Sequence, residues 1–103
     1  MGDRVSISFV NGREESVALF NHWGGREFVD EARDYVRKLI AENPQHSQFD
    51  PLDRLEPGTV MVDFIRHLTE RQGRVRSNLY LGATSTNGDN SDNGHHVIHL
   101  DRI

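Results

Sequence analysis

Cysteine is missing from this chain, and with it go disulfides, thiolate metal centres and redox thiols. No apolar run approaches the ~20 residues that a membrane helix needs. No basic N-terminal stretch leads into an apolar one either, so a signal peptide is not expected, and a cytoplasmic location without a membrane partner fits best. Proline is scarce. All 3 prolines, Pro44, Pro51 and Pro57, fall within one segment, which marks a loop there. An excess of positive charge is absent as well, with 12 basic against 16 acidic side chains and a net charge of −4. Proteins that grip nucleic acid through its phosphates carry a basic face. Nucleic acid is therefore not the expected partner, although a local basic patch is compatible with the balance.

What is present suits one small soluble domain spanning residues 1–103. Hydrophobic residues make up 35% of the chain, enough for a modest core. The opening "VSISFVNGREESVALF" reads as a β-hairpin. Val5, Ile7 and Phe9 alternate with Ser6 and Ser8, and Asn11-Gly12 is a strong turn signal. Two registers are open. A two-residue turn pairs Val10 with Arg13 and puts Phe20 on the face of Val5, Ile7 and Phe9. A three-residue loop with a left-handed Gly12 pairs Phe9 with Arg13 and brings Val17 to that face. The second gathers the larger apolar set and is preferred.

"REFVDEARDYVRKLIAEN" follows, with Phe28, Ala32, Tyr35, Val36, Leu39 and Ile40 at helical spacing. Asn43-Pro44 stops that helix. The proline segment is read as a loop with one short turn around Leu52 and Leu55. A second helix is predicted from Pro57 to Gln72, with Met61, Phe64, Ile65 and Leu68 as its stripe and Gly73 as its stop. "SNLYLGAT" and "HHVIHLD" read as a closing hairpin. Its connector "STNGDNSDNG" is expected to be a polar, mobile tip that tolerates shortening. The order ββααββ predicts a two-layer α+β domain, a mainly antiparallel sheet of four strands with two helices on one face.

Four stretches carry candidate chemistry. In "FNHWGGREF", the free N–H groups and dipole of a helix start favour an anion beside His22, Trp23, Gly24, Gly25 and Arg26. The simpler account is a tight turn from strand to helix, with Trp23 plugging the end of the core. In "HHVIH", strand alternation sends His95 and His96 to opposite faces. His95 and His99 share a face but lie roughly 13 Å apart at ~3.3 Å per residue, too far for one zinc at ~2.0–2.1 Å from each nitrogen. His96, Ile98 and Leu100 form the more apolar face. That sends His95, Val97 and His99 outward beside Tyr80, a half-apolar surface suited to a partner or a second copy of the chain. In "NGDNSDNG", Asp89, Ser91, Asn93 and Gly94 match positions one, three, five and six of a calcium loop. Position twelve is Leu100 instead of a bidentate Glu. That rejects an EF-hand and leaves a weaker calcium site through Asp89 and Asp92 as the alternative. Finally, Arg71, Arg74 and Arg76 in "RQGRVR" form a local basic run that suits either phosphate or the helix dipole. No nucleophile triad, retaining carboxylate pair or nucleophile elbow can be named from spacing.

The pieces "LFNHWGG" at 19–25 and "DNGHHVIHLD" at 92–101 give the chain a family likeness. It resembles small uncharacterised proteins of phages and prokaryotes in which a short hairpin ends in a "HWGG"-type motif, a helical middle follows and a Gly/Asp-containing hairpin closes the chain. The resemblance implies one compact domain and draws attention to His22, Trp23, Gly24 and Gly25. It implies no activity.

The leading expectation is thus a non-enzymatic binding or interaction module, with a homodimer through Tyr80, His95, Val97 and His99 as one form of it. The alternative is a ligand- or metal-dependent protein, hydrolytic enzymes included, with its site near His22, Arg26 and the outer histidines. Calcium binding at Asp89 and Asp92 is the third reading.

Overall fold

The structure is a computed structural model, and it describes residues 2–42, 50–52, 54–72 and 78–102. The strands are β1 (Val5–Asn11), β2 (Glu14–Glu15), β3 (Ala18–Asn21), β4 (Leu79–Gly82) and β5 (His95–His99), and the helices are α1 (Gly25–Glu42) and α2 (Pro57–Gln72). β5 pairs along one edge of β1 while β2 and β3 share the other, and β4 continues beyond β3. Among the described residues only β5 runs parallel to its neighbour. The expected α+β class, with two helices against a mainly antiparallel sheet, is what the chain forms. Among the described residues no helix is long and apolar enough to cross a membrane.

Alternation decides which face each strand residue takes. Val5, Ile7 and Phe9 bury against the helices together with Leu19, Ile98 and Leu100. α1 answers with Phe28, Val29, Ala32 and Val36, and α2 with Val60, Met61, Phe64 and Leu68. Phe64 is the junction. Its ring stands edge-on to Phe9 at 5.8 Å and tilts against Phe28 at 5.8 Å and Tyr35 at 5.2 Å. Burying side chains of this size is worth about 1.5–3 kcal/mol each. The turn at Leu52 and Leu55 forms as expected, closed by Leu55 N–H on Leu52 O at 2.9 Å. The expected helix stops at Asn43-Pro44 and Gly73 lie outside the described residues.

The first hairpin takes neither expected register. Asn11 faces Glu14 and Val10 faces Glu15 around a Gly12-Arg13 turn, whereas Ile7 faces Leu19 and Val5 faces Asn21. The offset of one residue is a β-bulge at Ser16-Val17. Ser16 holds it. Its N–H donates to Phe9 O at 2.9 Å, and its Oγ accepts Phe9 N–H at 3.0 Å, replacing a ladder carbonyl. Val17, the extra residue, is left exposed instead of joining the core face.

The closing strands differ more. Among the described residues β4 pairs with β3 and β5 with β1, so the two stand at opposite edges and form no hairpin. Residues 83–94 cross the outer face from one edge to the other. They are bonded to it: Asn90 Nδ2 donates to Ser6 Oγ at 2.8 Å, Asp89 N–H to Tyr80 Oη at 2.9 Å, and Asn93 N–H to Arg4 O at 2.9 Å. Underneath, Tyr80 stacks on Phe20 with centroids 4.9 Å apart and planes 4° apart, and Phe20 is 0% exposed. The expected polar tip is therefore a packed strap over a second small apolar cluster.

Gly88 is where the strap touches that cluster. A Cβ there would lie 2.7 Å from Tyr80 Cε2 and 2.8 Å from Phe20 Cδ2. Gly88→Ala is expected to destabilise by about 1–3 kcal/mol, the scale of overpacking, or about 4–8 °C in melting temperature per kcal/mol. Thermal unfolding by circular dichroism checks this. An unchanged melting temperature would show that the strap does not press on the sheet.

Candidate functional site

Four places gather polar or charged groups. The first is the "HWGG" corner. β3 ends at Asn21, whose Oδ1 accepts Trp23 N–H at 3.0 Å and Asn78 Nδ2–H at 2.7 Å. His22 N–H donates to Asn78 O at 3.0 Å, and Gly25 N–H to Asp3 O at 2.9 Å. Gly25 opens α1 with φ of 58°. A Cβ on it would lie 2.7 Å from Asp3 Oδ2, so the chain's own carboxylate sits at the helix start, where it suits the dipole. Asp3 is also held by Asn93 Nδ2 at 2.9 Å. Trp23 does not plug the core. It is 63% exposed, because Asn21 anchors its backbone in the turn while Phe28 fills the core beside Gly24. Arg26 is exposed. Gly25→Ala is expected to cost about 1–2 kcal/mol for the left-handed backbone, with the approach to Asp3 added. Urea unfolding of this variant beside Arg26→Ala, expected to be near neutral, checks it.

The second place is the outer face. β5 faces divide as expected: Ser6 is opposite His95 and Ser8 opposite Val97, while Ile7 is opposite His96 and Phe9 opposite Ile98. His95 is the centre of a chain of hydrogen bonds. Ser6 Oγ lies 2.7 Å from its Nδ1, Ser8 Oγ lies 3.0 Å from its Nε2, and Ser8 donates to Glu15 Oε2 at 2.7 Å. With a neutral imidazole the Glu15 end fixes the protons. The carboxylate can only accept, so it takes the one Ser8 proton. His95 Nε2–H then donates to Ser8, which leaves Nδ1 to accept Ser6 O–H, while Asn90 Nδ2 donates to a lone pair of Ser6. In this arrangement Ser8 gives its proton to Glu15, so His95 does not act as its base. Burial holds the His95 pKa below the ordinary histidine value. His96 adds to that, and the Glu15 carboxylate opposes it.

The direction of that shift has a consequence for stability. Between the lowered folded pKa and the unfolded value near 6.5, the unfolded chain binds more protons at this site. The stability His95 contributes is thus whole above about pH 6.5 and is lost as pH falls through the folded value. Melting temperatures of wild type and His95→Gln at pH 7.5 and 5 are expected to diverge, with the larger acid loss in the wild type. Parallel losses would rule out His95 as the titrating group.

The expected partner surface is divided by the strap. Tyr80 and His95 bond beneath or beside residues 83–94, whereas Val97 and His99 lie half-buried toward the open edge of β5. The strap's acids have partners of their own. Asp89 Oδ2 meets Arg4 Nη1 at 3.2 Å, and Asp89 Oδ1 accepts Ser91 N–H at 3.0 Å. Ser91's hydrogen bonds, with Arg4's charge behind them, hold the Asp89 carboxyl below its ordinary pKa. Asp92 Oδ2 accepts Arg4 N–H at 3.0 Å. Both acids thus fasten the strap to the start of β1, and a calcium ion would compete with a guanidinium. Among the described residues no group of three His, Asp or Glu converges as metal ligands would. The side chain of Arg71, with Arg74 and Arg76, lies outside the described residues.

The third place was not foreseen. Between α1 and α2 runs a groove of about 830 Å3. Tyr35, Leu39, Leu52 and His67 line it on the apolar side. Tyr35 packs against His67 at 5.3 Å, and its hydroxyl donates to the Asp63 carboxylate. Burial, then that bond and the charge behind it, push the Tyr35 pKa far above its ordinary value, so the phenol stays protonated as a donor. Asp63 is balanced in turn by Arg66 at 3.0 Å, which also meets Glu70 at 2.6 Å. The α1 wall is different: Glu27, Glu31, Asp34 and Glu42 line it together with Lys38, and Asp34 is paired with Arg37 at 3.1 Å. The fourth place is a basic hollow on the opposite flank of α1, between Arg33 and Arg37 and the end of β5. No protein-family model, curated protein or solved structure matches this chain.

Proposed function

We propose that this chain is a small, non-enzymatic binding module that takes a basic amphipathic peptide segment in the groove between α1 and α2. The groove carries the reading. Its volume of about 830 Å3 lies within the ~300–1,000 Å3 of ligand-sized sites. It pairs an apolar floor with an acidic rim. A segment with leucines on one face and lysines or arginines beside them satisfies both, in the manner of a helix laid into a groove. Asp63 is already neutralised by Tyr35 and Arg66 and Asp34 is paired with Arg37, so the rim charge the reading rests on is that of Glu27 and Glu42, both exposed on α1.

The test is fluorescence anisotropy with a labelled Leu/Lys amphipathic peptide and its Leu/Glu counterpart. The basic peptide is expected to bind and the acidic one not, with binding weakened by salt. Glu27→Lys with Glu42→Lys, both exposed positions, should weaken the basic peptide about tenfold, the scale of two exposed charge pairs made repulsive. Equal binding of both peptides, or indifference to the charge reversals, would sink the reading.

A further inference from the structure

We propose that the hollow between α1 and the open edge of β5 is a binding site for a phosphate group, either free or as the monoester of a small molecule. It measures about 250 Å3 and is lined by Arg33 and Arg37 of α1, by Val97, Ile98 and His99 of β5, and by Arg102 beyond it. Arg33 and Arg37 are one helical turn apart and so lie on the same flank. β5 runs past that flank, and Arg102 N–H bonds back to His99 O at 3.2 Å, which turns the end of the chain toward it. Three guanidinium groups and an imidazole therefore converge in a chain whose net charge is −4, and no carboxylate lines the hollow. Arg37 meets Asp34 at 3.1 Å in an exposed pair that uses one nitrogen. Among the described residues, the side chains of Arg33, Arg102 and His99 make no hydrogen bond or ion pair.

A second observation comes from the sheet. Ser6 N–H donates to Gly94 O at 3.1 Å, and Leu100 N–H donates to Val10 O at 2.8 Å. The parallel ladder between these bonds uses the N–H groups of His96, Ile98 and Leu100 and turns those of Val97 and His99 to the open edge. Neutral backbone donors thus stand beside the guanidinium groups. That is the donor set of a phosphate site, since arginine forks match the tetrahedral oxyanion in pairs and backbone N–H groups complete it. The volume falls below the ~300–1,000 Å3 of larger ligand pockets, which suits one phosphate and a short carrier. Val97 and Ile98 supply an apolar wall for such a carrier. The hollow lies on the flank of α1 away from the peptide groove and does not depend on it.

The experiment is an amide NMR titration with inorganic phosphate and, separately, with O-phosphoserine, against sodium acetate at matched ionic strength. Saturable shifts centred on the Val97 and His99 amides are expected with phosphate and absent with acetate. Tighter binding of O-phosphoserine would identify a monoester as the source, and equal or weaker binding would identify the free ion. Arg33→Gln and Arg102→Gln, made singly, should each weaken binding about tenfold, the scale of a charge-assisted hydrogen bond, with the rest of the spectrum unchanged. Three outcomes would overturn the proposal. One is the lack of saturation at millimolar phosphate. Another is saturation that ignores both arginine variants. The third is a mixed-sequence single-stranded RNA that binds far tighter than phosphate with a steep salt dependence, which would mark a polyanion surface.

Discussion

Strand β1 has a partner on each edge and a layer on each face, and its residues 5–9 are all buried. Two of them are serines. A hydroxyl taken from water and left unbonded costs about 1–3 kcal/mol, so Ser6 and Ser8 make sense only with partners in reach. Those partners come from distant parts of the chain: His95 from β5, Asn90 from the strap and Glu15 from β2. The same strand's other face needs Phe64 and its neighbours from the helices. The strap, the parallel β5 and the helix pair are thus answers to one buried strand whose two faces differ in chemistry.

Much of this was legible locally. Alternation in "VSISF" and "HVIHL" gives the faces correctly, because period two is a property of the strand itself. Both helices fall where their stripes put them, with α2 matching Pro57 to Gln72. What alternation cannot report is which strand lies alongside. "SNLYLGAT" and "HHVIHLD", joined by Gly, Asn and Asp, read as a hairpin, yet β5 gains more beside β1, where His95 reaches both serines. The bulge escaped for a related reason: Ser16 looks like an ordinary polar residue until its hydroxyl is seen taking the place of a carbonyl. Trp23 departs from the expected plug because ring size argues for burial while the turn around Asn21 decides the direction. The two charged sites needed more than one segment each. Glu27, Glu31 and Glu42 form a visible row on α1, but the groove requires Leu52 and α2. Arg33 and Arg102 meet only after β5 has been placed.

α1 thereby has three sides. Its apolar stripe faces the sheet, its acidic row borders the groove toward α2, and Arg33 and Arg37 look toward β5. The two flanks are linked through Asp34 and Arg37, which pair at 3.1 Å across three residues, a mixed-sign spacing that favours the helix. A basic segment on one flank and an oxyanion on the other would thus each meet a flank of the same helix.

The parallel placing of β5 on β1 has a mechanical meaning. Val5 lies near His95 at one end of the pair, and Val10 lies opposite His99 at the other, so the chain enters β1 at one end and leaves β5 at the opposite end. Tension applied through the chain before β1 and the chain after β5 would slide these strands along each other instead of peeling them apart. The rungs from Ser6–Gly94 to Val10–Leu100 would be loaded together in shear, and the fold would resist stretching through the same strand pair that closes its core.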